Sequence, residues 1–217
     1  MILASASPRR RELLALLGLP FQVCKVTVDE TPRPDETPEV LVARLSAVKA
    51  LTAARNLPSK QGSLVIAADT VVVLDRNILG KPRHAAEAIG MLQRLRGRLH
   101  QVHSAVTVLE TPTLRAAIHV KTSQVWMRSY SDAEIERYVA GGDALDKAGA
   151  YAIQHAGFHP VERLIGCYTG VVGLPLGALT DGLAHFGVTP KVYVANACRD
   201  WSGQPCCLEA ECVSWTA

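Results

Sequence analysis

Asp69 stands where a strand wants another valine. It interrupts the apolar run Val65-Ile66-Ala67-Ala68-Asp69-Thr70-Val71-Val72-Val73, and a carboxylate buried there without a partner costs several kcal/mol. It needs a metal ion, a cation or several hydrogen bonds. Two readings follow: a structural aspartate at a strand end, or a carboxylate held rigidly by a sheet as metal ligand or general base. Basic groups suited to phosphate are spread along the chain as Arg9, Arg10, Lys49, Lys81 and Lys147. Lys81 precedes Pro82, which biases it to an extended conformation. Lys147 is followed by Ala148 and Gly149, which leave the backbone slim enough for a ligand to approach. Lys49 falls at the margin of a helical apolar face, where its stem either snorkels or reaches out to a ligand. Asp29 and Glu30 end a strand-like stretch. With Asp69, Asp29 would furnish oxygen ligands for Mg²⁺ or Mn²⁺; Glu30 reads as part of a solvated turn.

Alternating strand and helix signals must position these groups. A short apolar run, Ile2-Leu3-Ala4, leads to Ser7 as N-cap and Pro8 as first helical residue. Three arginines then sit where the helix N-terminus is already positive, a repulsion of roughly 0.3–1 kcal/mol per charge unless something anionic lies among them. "PFQVCKVTVDE" reads as a strand. Thr37 and Pro38 open a helix with Leu41, Leu45 and Val48 on one face. "SLVIAADTVVVL" is a strong strand, and "NILGKP" turns. A helix through Ile89, Leu92 and Leu95 stops at Gly97. "HQVHSAVTVLE" and "KTSQVWMRS" read as two paired strands, and Ser131 with Glu134 forms a capping box. "LGALTDGLAHFG" closes the body. In a regular strand Asp69 and Thr70 point to opposite faces, so the strand is expected to end or bulge if both are to touch one ligand.

The chain has 217 residues, 48% hydrophobic and 20% charged, with a formal net charge of +3. That balance suits one full-sized globular core and is too weak to imply nucleic-acid binding by itself. No stretch reaches membrane-spanning length and the N-terminus lacks a signal-peptide core, so a cytoplasmic location is expected. P-loop, dinucleotide-binding, Gly-x-Ser-x-Gly and His-Glu-x-x-His patterns are all lacking. His100 and His103 read as structural. Cys198, Cys206, Cys207 and Cys212 crowd the C-terminus in no usual zinc spacing. The organisation expected is a body over residues 1–190 and a Cys-rich tail over 191–217 without a helical period.

"SASPRR", "VDE" at 28–30, "AADT", "GKP", "DKAGAYAIQ" and "VVGLPL" stand in this order. Over roughly residues 1–188 the chain thereby resembles the Maf-like nucleoside triphosphate pyrophosphatases. The resemblance implies an α/β fold, related to the inosine-triphosphatase architecture, with an elongated mixed central sheet flanked by helices and a nucleotide cleft between two lobes. It further implies a divalent metal, commonly a homodimer, and Asp69 as proton acceptor. The family's branches differ at three places, and Arg9, Thr70 and Gln154 here look like the dTTP/UTP branch. Ser7, Arg10, Lys49, Lys81 and Lys147 would then hold phosphates, and Asp69 with Asp29 the metal. The arginines would face a triphosphate, with the helix amides helping.

The chain departs from the family pattern at Ala152, where glycine is usual, at His103-Ser104, and in the tail. Two alternatives stay open. A purine (inosine or xanthosine) triphosphate pyrophosphatase of related architecture would prefer other bases. A nucleic-acid-binding regulator of septum formation would use the arginine clusters, but it leaves Asp69 and the want of an aromatic stacking platform unexplained. Membrane association is not expected.

Overall fold

Alternation along one strand organises the molecule. The computed structural model describes residues 1–57 and 62–209 and the backbone of Ser214–Thr216. Its elements run β1 (Ile2–Ala4), α1 (Pro8–Ala15), β2 (Gln22–Cys24), α2 (Pro38–Arg55), β3 (Ser63–Leu74), β4 (Asn77–Leu79), α3 (Ala85–Leu95), β5 (Leu99–Thr111), β6 (Ala116–Met127), α4 (Asp132–Ala140), a 3₁₀ turn at Ala148–Ala150, β7 (Val161–Ile165), α5 (Tyr168–Val172), α6 (Leu176–Ala184), α7 (Val194–Ser202) and β8 (Ser214–Thr216). The sheet is mixed, in the order β2-β1-β3-β5-β6-β7-β8, with β4 also on β3. β1 is parallel to β2 and β3, while β3, β5, β6, β7 and β8 follow as antiparallel neighbours.

Side chains of β3 alternate between two cores, as the period of two demands. Ile66, Ala68 and Val72 join the large cluster with Leu13 and Leu14 of α1, Leu17 in the turn after it, Leu92 of α3 and Leu179 of α6. Val65 and Ala67 pack with Ala50 and Ala53 of α2; Val71 and Val73 pack with its Leu41 and Leu45. Asp69 therefore falls between two apolar clusters on the α2 side.

The buried stripe of α2 is Leu41, Val42, Leu45, Ser46, Lys49, Ala50 and Ala53, rotated from the face expected through Val48. Two polar residues enter this stripe because each finds a buried partner: Ser46 Oγ lies 2.8 Å from Thr107 Oγ1, and Lys49 Nζ lies 2.6 Å from Asp69 Oδ1. The expected caps form as read. Ser7 and Thr37 accept from Arg10 and Val40 amides, with proline at the first turn, and Ser131 and Glu134 close a capping box.

Four stretches differ from expectation. β2 covers only Gln22–Cys24, and the remaining residues of that run form an irregular segment that carries Val26 and Glu30 to the cleft. Asn77–Leu79 is a strand rather than a plain turn, since Asp75 and Arg76 at φ 51° and 65° make the tight two-residue hairpin that returns it onto β3. Val161–Ile165 adds a strand that alternation had not marked out. Beyond residue 191, where no helical period was read, α7 forms and buries Ala195 and Cys198 in the large core. No helix among the described residues is long and apolar enough to cross a membrane.

Candidate active site

A gap in one edge of the sheet makes the site. β1 leaves β3 after the Leu3–Ile66 pair, and β4 joins the same edge only at the Leu79–Val72 pair. Along residues 67–71 of β3 the other edge stays continuously paired with β5. The strand neither ends nor bulges at Asp69. Its neighbours stop instead, so groups from both faces of β3 can border one opening. This corrects the expectation that β3 itself must break.

The opening leads to a cavity of about 380 Å³, within the usual range of small-molecule sites. Ser7, Arg9, Arg10, Lys49, Thr70, Lys81, Lys147 and Gln154 all line it, as does Glu30. Eight residues read from the sequence as phosphate or specificity groups thus meet at one place. Asp69 lies behind this lining, reaching it through Lys49. Asp29 does not line the cavity: its carboxylate is exposed and accepts the Thr31 amide at 2.9 Å, an Asx turn. The neighbouring Glu30 reaches the cavity instead, with its Oε1 2.6 Å from Lys49 Nζ. Arg11 is exposed and outside the lining.

Lys49 is the hinge of the electrostatics, with a side chain only 10% exposed and two carboxylates at 2.6 Å. Burial raises the Asp69 pKa above its ordinary value, with Glu30 adding to the rise; Lys49 and Arg10 pull against it and do not prevail. Burial also opposes ionisation of Glu30, but there the Lys49 ammonium, Lys81 and Arg10 win and hold the carboxyl below the usual range. Two acids sharing one cation therefore divide into a weaker base and a stronger one, and Asp69 is the stronger base.

Arg10 donates from Nε to the Gly173 carbonyl at 2.9 Å, which fixes its guanidinium against α5. Arg9 Nη1 spans the cleft to Asp146 Oδ2 at 3.3 Å. Lys147 is turned inward, 6% exposed, and its ammonium meets the Asp143 carbonyl, Asp143 Oδ1 and Asp146 Oδ1. Three acceptors use its three donors, so it orders the loop that carries Asp146. Thr70 Oγ1 lies 2.9 Å from Ser104 Oγ, which donates to the Gly170 carbonyl. Gln154 is exposed at the rim. Ala152, the departure beside it, is buried with its N–H on Tyr138 Oη.

His100 and His103, read as structural, are buried: His100 Nε2 lies 2.8 Å from Tyr151 Oη, and His103 Nδ1 lies 3.0 Å from Thr122 Oγ1. Sequence reasoning passed over Asp146; it noted Ser104 as a departure from the family pattern and residues 171–173 within VVGLPL, without giving either a place at the cavity. Only Ser104 had a signal, being polar inside an apolar strand.

Asp69 and Glu30 converge on one cationic position, and Mg²⁺ or Mn²⁺ is commonly held by one or two carboxylates, waters and substrate phosphates. Among the described residues no group of three or more His, Cys, Asp or Glu side chains could hold an ion unaided. The donor set fits a cation that arrives with a phosphate ligand.

A family description, Maf-like protein, matches residues 1–186. A dTTP/UTP pyrophosphatase of Pelotomaculum thermopropionicum is 45% identical over 187 residues, covering 86% of this chain and 96% of the relative. Those of Caldanaerobacter subterraneus subsp. tengcongensis and Gloeobacter violaceus are each 44% identical, over 87% and 86% of this chain and 90% and 95% of their own lengths.

Proposed function

The chain belongs to the Maf-like protein family, and from that premise we infer that it is a dTTP/UTP pyrophosphatase, hydrolysing these nucleotides to the monophosphate and pyrophosphate. The observation that carries the chemistry is the pairing of Asp69 and Glu30 on Lys49, beside a cavity lined by Arg9, Arg10, Lys81 and Gln154.

In this reading water attacks the α-phosphorus and the α–β anhydride bond breaks. Asp69, made more basic by burial, takes the proton of the attacking water. Arg10, Lys49 and Lys81 hold the triphosphate and stabilise the charge that develops on the leaving pyrophosphate. Ser7 puts its own N–H on Ser5 Oγ and takes the Arg10 amide on its hydroxyl, and Pro8 has no N–H, which leaves the Arg9 N–H at the start of α1 to meet a phosphate. Gln154 presents both donor and acceptor to the O4/N3–H edge of a uracil-type base, and Arg9 and Thr70 flank the same cavity. Maf-family pyrophosphatases are generally metal-dependent; here Asp69 and Glu30, in place of Asp29, would hold a divalent cation, which when bound offsets phosphate charge.

A homodimer is part of the reading through the family, and light scattering on the purified chain checks it. A cytoplasmic location goes with a nucleoside triphosphate substrate and with Cys24, Cys167, Cys198, Cys206 and Cys207 being unbridged.

The test is a panel of nucleoside triphosphates with Mg²⁺ or Mn²⁺, read as monophosphate plus pyrophosphate. dTTP and UTP should lead the purines. Asp69→Asn should lower kcat by roughly 10²–10⁴-fold while substrate binding persists. Purine preference would reject the base assignment, and an Asp69→Asn chain of full activity would reject the base catalyst.

A further inference from the structure

Lys147 has no donor left for a phosphate. Its ammonium meets the Asp143 carbonyl at 2.5 Å, Asp143 Oδ1 at 2.8 Å and Asp146 Oδ1 at 2.7 Å, which uses all of its N–H groups. The Asp146 carboxylate is thereby held at one oxygen. Its other oxygen, Oδ2, faces Arg9 Nη1 at 3.3 Å across the cleft. Asp146 lines the cavity yet has no part in the hydrolysis described above. A carboxylate on the wall of a polyanion's site opposes binding by repulsion, so its presence there calls for another purpose.

The charges divide the cavity into two ends. Around Asp69, the cations Arg10, Lys49 and Lys81 face the carboxylates Asp69 and Glu30. Positive charge is in excess there, where phosphate should lie. Around Asp146, Arg9 and Lys147 face Asp143 and Asp146, two cations against two carboxylates. That end is balanced, draws no polyanion and suits an uncharged base. Residues 151–154 follow Lys147 in the chain and bring Gln154 to the same cavity.

We propose that Asp146 is a positioning residue for the base: anchored by Lys147, it holds the Arg9 guanidinium at the balanced end of the cavity, where the N–H groups not used on Asp146 donate to a carbonyl oxygen of the pyrimidine ring. The proposal rests on the pyrophosphatase reading and deepens it. A guanidinium is planar and carries its donors in a rigid fork, so a bond from Nη1 to an anchored carboxylate restricts where the others point. Thymine and uracil carry carbonyl oxygens at O2 and O4, and adenine carries none. An Arg9 held in this way favours the pyrimidines over adenine, whose site would leave the guanidinium unmatched. Arg9 touches the substrate; Asp146 acts through Arg9, and Lys147 through Asp146.

The experiment compares the full chain with Asp146→Asn, Arg9→Gln and the double variant, using dTTP and dATP as substrates and inorganic pyrophosphate as inhibitor. The Asp146 side chain is 60% exposed, and asparagine keeps an oxygen for Lys147, so the variant should fold. Asp146→Asn should raise KM for dTTP several-fold with kcat little changed. It should cut the preference for dTTP over dATP by about tenfold and leave pyrophosphate inhibition as it was. Arg9→Gln should do the same, and the double variant should be no worse than Arg9→Gln alone. KM values that rise equally for dTTP and dATP, or effects that add in the double variant, would reduce Asp146 to a brace of its loop and overturn the proposal. Pyrophosphate that binds several-fold more tightly to Asp146→Asn would also overturn it, because Arg9 would then serve the phosphates. A full chain that hydrolyses no nucleotide would sink the pyrophosphatase reading alone. Calorimetric binding of dTMP against dAMP by the same four proteins would still decide, without turnover, whether Asp146 selects the base through Arg9.

Discussion

Burial makes Asp69 a better base than a surface aspartate, and that should be visible in the pH profile. The acid limb of kcat/KM should have a midpoint above the ordinary aspartate value of about 3.9, because activity is lost as pH falls and the raised carboxyl protonates. The neighbours give the sign of each perturbation. Lys49→Gln removes the cation that holds the Asp69 pKa down, so the midpoint should move up by about one unit or more, whatever happens to the rate itself. Glu30→Gln removes a negative charge that raises it, so the midpoint should move down. Midpoints that stay fixed in both variants would detach the limb from Asp69. At this scale the sequence marks Asp69 well, since a carboxylate inside an apolar strand must have a reason. It does not distinguish Asp29 from Glu30. Both acids end the same run, and which one faces the cavity depends on how residues 25–30 leave β2, a matter of tertiary packing rather than of local propensity.

The elements around the site were legible where local chemistry decides and hidden where distant packing does. Ser7-Pro8, Thr37-Pro38 and Ser131 with Glu134 form their caps because each cap closes within a few residues. The rotation of α2 could not be read from its own sequence, since Ser46 and Lys49 turn inward only to meet Thr107 on β5 and Asp69 on β3. The same holds for the sheet gap, which depends on where β1 and β4 stop. One glycine shows how closely the far wall is fitted to β3. Gly149 adopts φ +70°, and a Cβ there would lie 3.0 Å from both methyl groups of Val72, a residue of the cavity lining. Gly149→Ala therefore meets both backbone strain and a crowded neighbour, at a combined cost of roughly 1–3 kcal/mol. It should lower the melting temperature and, by moving the loop that carries Asp146 and Gln154, raise KM for dTTP more than it lowers kcat. Steady-state kinetics and a thermal melt of the same preparation check both. A variant with wild-type KM would show that the loop does not set the nucleotide's position.

Across the whole molecule the segment after residue 190 changes meaning once it is folded. Composition marks it off from the body, and the family match ends at residue 186, yet α7 lies against α5 and α6 as part of the large core. Ala195, Cys198 and Cys206 are buried there, Leu208 covers Gly177 of α6, and Trp201 stacks edge-on with Tyr168. Trp201 Nε1 also donates to Glu12 Oε1 at 2.7 Å, on the helix that carries Arg9 and Arg10. The helical period was missed because only a narrow stripe of α7 is apolar, and two of its members are small. Ending the chain at residue 190 should uncover the faces of α5 and α6. If about 2 kcal/mol of burial is lost, the melting temperature should drop by roughly 4–8 °C. The nucleotide site should feel it too, since Glu12 on α1 loses the Trp201 indole and Tyr168 on α5 loses its contact with the same ring. A shortened chain that melts as the full one does, with unchanged KM for dTTP, would make the segment an appendage. A shortened chain with a lower melting temperature and raised KM would make it the outer brace of the wall that holds Arg10.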